Sequence, residues 1–155
     1  MATMTMTTKD LTRASIPEKS ITKPLDVTSE PAAISTAYRL LHLGFSIAPI
    51  VAGADKFLNV MTDWEDYLAP EIVEWSGYPA SDVMMVVGGI EIAAGLLVAV
   101  KPKIGGYVVA GWLAGVIGNL ALRGNAWDVA LRDFGLMLGA LALGRMAPRF
   151  ETSRR

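Results

Sequence analysis

The stretch VMMVVGGIEIAAGLLVAVKPKIGGYVVAGWLAGVIGNLAL, residues 83–122, decides the fold. It holds two long apolar runs whose only charges are Glu91 and the break Lys101-Pro102-Lys103. A bilayer core about 30 Å thick needs roughly 20 helical residues, and both runs come close to that. Three residues between them leave room for nothing but a hairpin. The stretch therefore predicts two membrane-spanning helices packed side by side.

Working outward, two further segments follow the same pattern less cleanly. Residues 34–58 are interrupted by Arg39, His42, Asp55 and Lys56, and residues 126–146 open on Asp128, Arg132 and Asp133. Together with 82–100 and 104–122 they predict an all-α integral membrane protein, an antiparallel four-helix bundle within 34–147 whose two weaker helices need partners to be comfortable in lipid. The connection Arg123-Gly124-Asn125 is as tight as the first. The longer one, 59–81, mixes Trp64, Tyr67, Trp75 and Tyr78 with acidic residues, as expected of a segment lying at the membrane interface. Residues 1–33, rich in Thr, Ser, Lys and Pro and without an apolar run, read as a flexible polar arm. Residues 148–155 form a basic tail.

Composition agrees. Hydrophobic residues make up 52% of the 155 and charged ones 19%, too few charges for the surface of a soluble domain of this size. A net charge of −1 gives no basic field for nucleic acid. The absence of cysteine excludes disulfides, thiolate metal sites and thiol catalysis by this chain. If the N-terminus is cytoplasmic, 11 of the 14 Lys and Arg residues fall inside and only Lys56, Arg123 and Arg132 fall outside. The positive-inside rule thus favours two cytoplasmic termini.

Helical spacing places Glu91 on the same face as Gly88 and Gly95, with Val86 and Leu96 turned away. Small residues let membrane helices approach closely, so this face is expected to look into the bundle. A charge at a helix centre costs about 2.5–3.5 kcal/mol on insertion scales; Glu91 should be protonated, or paired with a base or water. The first span offers a small and polar stripe through Arg39, His42, Ser46, Pro49, Gly53 and Lys56. Gly111-x-x-x-Gly115 and Gly135-x-x-x-Gly139 are close-packing motifs that could serve contacts within the chain or between chains.

Asp128 and Arg132 stand four apart in the favourable acid-to-base order. The topology brings Asp55, Lys56, Asp128, Arg132 and Asp133 to similar depth, with Glu91 beneath them. Such a cluster could be a self-neutralising network holding the two weak helices together. It could also be a polar pocket for a small anion or a quinone head group, with Glu91 handling protons. His42 is the sole histidine and, without partners, builds no haem or metal site; a structural hydrogen bond is expected of it. Asn119 is expected to bond across helices and Trp112 to pack. No nucleophile with a base at motif spacing, no phosphate loop and no metal-ligand cluster is present, and no internal repeat or broken helix supports a transporter.

The sequences GADKF at 53–57, GGIEIAAGLL at 88–97 and Asp-x-Ala-Leu-Arg-Asp at 128–133 resemble the DoxX family of four-helix bacterial and archaeal membrane proteins, over about residues 38–146. The family includes or borders on small subunits of thiosulfate:quinone oxidoreductases, and many members have no assigned activity. The resemblance implies a subunit in the cell membrane near the quinone pool, with family-like polar positions at Gly53, Asp55, Lys56, Glu91, Gly95, Arg132 and Asp133. The leading expectation is a non-catalytic accessory subunit in contact with lipid and with other membrane proteins of a respiratory or photosynthetic electron-transfer complex. The alternative is a quinone-linked oxidoreductase subunit in which Lys56 and Arg132 hold an anionic substrate. No metal or covalently bound cofactor is expected, only contact with a quinone or lipid.

Overall fold

The computed structural model describes residues 30–151, so most of the expected polar arm and part of the basic tail lie outside the described residues. All regular structure within them is helical: α1 Glu30–Asp55, α2 Pro70–Ser76, α3 Ala80–Val100, α4 Pro102–Arg123 and α5 Trp127–Glu151, with a 3₁₀ turn at Glu65–Tyr67. α1 begins at Glu30, so the last residues assigned to the arm are helical instead.

Three of the long helices, over Ala32–Asp55, Ala80–Val100 and Pro102–Arg123, are long and apolar enough to cross a membrane. The fourth expected span is present as α5 but does not reach that apolarity, because Asp128, Arg132, Asp133, Arg145 and Arg149 all lie on it.

The α3–α4 hairpin is tighter than its sequence suggested, with Lys101 its single non-helical residue. Pro102 is the cause. It cannot donate the N–H that would continue α3, yet its fixed φ suits the first position of a new helix. The Lys101 N–H ends α3 on the Leu97 carbonyl at 2.7 Å, and the Gly105 N–H starts α4 on the Lys101 carbonyl at 2.8 Å. At the far end of α4, Gly124 adopts the left-handed conformation with φ 77° and donates to the Leu120 carbonyl, a glycine stop of the common kind.

Neighbouring helices meet where side chains are smallest. A Cβ on Gly53 would stand 2.5 Å from the Gly88 carbonyl oxygen, and one on Gly95 would stand 2.8 Å from the Ser46 carbonyl oxygen. These contacts run in opposite order along α1 and α3, so the two helices are antiparallel. α3 meets α4 at Val98 and Gly105, and α4 meets α5 at Gly106, Ala140 and Gly144. The Phe45 ring of α1 packs on Gly139 of α5, 3.2 Å from where a Cβ would sit. Gly53, Gly88, Gly95 and Gly139 are thus at helix contacts. Gly111, Gly115 and Gly135 are not: a Cβ on any of them would meet nothing within 4 Å. The Gly111-x-x-x-Gly115 motif therefore serves no contact within the chain, and of Gly135-x-x-x-Gly139 only the second glycine does, because the neighbouring helices are seated on Gly106 and Ala110 of α4 and on Gly139 and Leu143 of α5.

The main core is made of Phe45, Ala94, Val98, Val109, Ala110, Ala140 and Leu143. Much of the bulk faces outward: Leu40, Val86, Leu96, Leu122 and Leu131 are exposed, an arrangement suited to lipid.

Candidate functional site

The site begins where α1 ends. Gly53 and Gly88 bring the backbones of α1 and α3 together, and the Lys56 side chain crosses Gly88, whose absent Cβ would lie 3.1 Å from that of Lys56. The ammonium then reaches the Glu91 Oε2 at 2.7 Å, with the two side chains 5% and 15% exposed. Lys56 Nζ also stands 3.7 Å from the centroid of the Trp64 ring, so a desolvated cation is held by a carboxylate on one side and an aromatic face on another. Of the two partners anticipated for Glu91, a base or water, the structure supplies the base.

Asp55, next to Lys56, does a different job. Its carboxylate accepts from the Val60 N–H at 3.1 Å, from the Met61 N–H at 3.1 Å and from the Trp64 indole N–H at 2.8 Å. It folds the segment after α1 and so sets the Trp64 ring over Lys56. The same segment is anchored from α4, where Asn119 donates to the Tyr67 carbonyl at 2.7 Å and accepts from the Ala69 N–H at 2.8 Å. Asn119 was expected to bond a neighbouring helix; it grips the connecting segment instead, because Tyr67 ends the 3₁₀ turn and Ala69 precedes α2, and both carry backbone groups that no helix pairs.

The remaining polar residues part company. Asp133 is buried and lines the same cavity as Lys56 and Glu91. Arg132 is 68% exposed and approaches Asp133 from outside, its Nε 3.6 Å from Oδ1. Asp128 is exposed and forms neither of the two ion pairs found among the described residues. The expected Asp128–Arg132 pair is therefore replaced by Arg132–Asp133, and Arg132, which the alternative reading set beside Lys56 to hold an anion, does not line the cavity that Lys56 faces. Glu91 already neutralises the cation that does face the cavity.

Two cavities share this polar centre. The larger, about 510 Å³, runs beside α1 past Leu41, Phe45, Ala48 and Pro49, with Leu113 and Leu136 opposite. The smaller, about 320 Å³, lies toward Leu68, Ile72, Met84 and Leu120. Lys56, Trp64, Glu91 and Trp112 line both. Trp112 is the residue that sequence reasoning undervalued: its indole nitrogen is buried and has no hydrogen-bond partner. A buried donor left unmade costs about 1–3 kcal/mol, so such a group calls for an acceptor. The seven-residue spacing to Asn119 was visible, but an orphaned N–H exists only once the helices are packed.

Compared with known proteins, the chain matches no family model, no curated protein and no solved structure.

His42 lies away from this centre. Its Nε2 donates to the Val98 carbonyl at 3.0 Å. That carbonyl is the one Pro102, lacking an N–H, leaves without its usual helical partner.

Proposed function

We propose that the chain is an integral membrane subunit, an antiparallel four-helix bundle of the DoxX-like type, which holds an amphipathic, quinone-class molecule on behalf of a larger redox assembly. The carrying observation is the cavity of about 510 Å³, apolar along α1 and polar at one end. A ring-headed molecule with carbonyl acceptors complements that end: the Trp112 N–H and the Lys56 ammonium are donors, and Glu91 is an acid–base group close to the ring oxygens. An anionic substrate is disfavoured, since Lys56 is neutralised by Glu91 and Arg132 points outward. The part of an accessory subunit draws support from Gly111, an exposed glycine outside both cavities, where a partner's helix can approach closely.

The test is a titration of the purified protein with a short-chain ubiquinone analogue, read by quenching of tryptophan fluorescence. Saturable quenching is expected, with Glu91→Gln and Trp112→Phe each weakening it about tenfold, the worth of one buried hydrogen bond. Quenching that never saturates in the unaltered protein would sink the proposal.

A further inference from the structure

At the opposite end of α4 and α5 from the Lys56–Glu91 pair, three cations line a separate cavity of about 470 Å³. They are Lys103 in the first turn of α4 and Arg145 and Arg149 near the end of α5. No carboxylate lines it, and none of the three cations is in an ion pair among the described residues. Its floor is built: the Tyr107 ring lies on Gly144, 3.2 Å from where a Cβ would be, so the bare backbone of Gly144 lets α4 and α5 close beneath the charges. Arg145 and Arg149 are four residues apart and share a face. About two turns and four turns before Arg145 the same face carries Leu138 and Leu131, which are 50% and 72% exposed.

We propose that this cavity binds the phosphate of an anionic phospholipid, whose acyl chains lie along the Leu138–Leu131 strip. Two guanidinium groups and an ammonium around one space suit a phosphate, whose oxygens accept paired N–H bonds from arginine. Basic pockets between membrane helices hold lipid head groups in this way. A free phosphate would use the cations alone; the apolar strip on the same helix face selects a ligand with a hydrocarbon tail. The site shares no residue with the Lys56–Glu91 cavities, so it stands whether or not a quinone-class ligand binds there.

The full chain, purified in a neutral detergent, would be exchanged with phosphatidylglycerol or phosphatidylcholine, and the lipid retained counted by native mass spectrometry, with inorganic phosphate as competitor. Retention of phosphatidylglycerol is expected to exceed that of phosphatidylcholine by roughly tenfold, to resist inorganic phosphate, and to lose its preference in K103Q/R145Q/R149Q. Should the triple variant not fold, R149Q is expected to lower retention and R149K to keep it. Equal retention of the two lipids, undiminished preference in the glutamine variants, or displacement by inorganic phosphate at matched concentration would each overturn the assignment.

Discussion

The glycines along the α1–α3 seam and those on the open face of α4 look alike in sequence and have opposite surroundings. At Gly53, Gly88 and Gly95 a Cβ would strike backbone oxygen or a packed side chain, whereas at Gly111 and Gly115 it would meet nothing. A small residue in a membrane helix thus permits close approach without requiring it. What distinguishes the two sets is the partner: the α1–α3 seam ends in a buried ion pair that fixes how the helices slide past each other, and the α4 face has no such anchor among the described residues.

The largest effect should come from removing that anchor. Lys56→Met leaves the Glu91 carboxylate without its partner and should cost about 3–5 kcal/mol, read from unfolding in mild detergent, with Lys56→Met/Glu91→Leu recovering most of it. Full stability in the single variant would mean that the seam, and not the pair, sets the register. Next, Gly88→Val should cost about 3 kcal/mol, the upper end of overpacking, because its Cβ would stand 2.6 Å from a backbone oxygen that cannot rotate away. His42→Phe removes the donor to the Val98 carbonyl and should cost about 1–3 kcal/mol, a loss visible as faster amide exchange around Lys101. Gly111→Ala should do least, leaving stability unchanged or raising it by up to about 1 kcal/mol through helix propensity. A marked loss there in the isolated protein would show that the open face is covered after all, by a second copy.

The hairpin over 83–122 was legible because hydropathy and the Lys-Pro-Lys break are local features. The inward face of Glu91 was legible from helical spacing. Its partner was not singled out, since Lys56 meets Glu91 only through the register between two helices, which no single helix encodes. Asp55 was grouped with the cluster because it neighbours Lys56. Its actual partners are the Val60 and Met61 backbone N–H groups and the Trp64 indole N–H, a local fold that charge counting passes over. Arg132 and Asp128 failed similarly: equal depth in the membrane says nothing about which way a side chain leaves its helix. Helix α2 was missed although Pro70 and Gly77 bracket it with ordinary start and stop signals; its aromatic and acidic content had drawn attention to the interface instead.

Pro102 also bears on how α1 docks against the hairpin. The α3–α4 hairpin, joined through one residue, packs as a unit, and by itself it leaves the Val98 carbonyl without a helical donor. Only with α1 antiparallel and in the correct register does His42 reach that oxygen. The proline that makes the turn so short also leaves a chemical address on the hairpin, readable by one imidazole at one depth, so a helix docked a turn too high or too low leaves it unanswered.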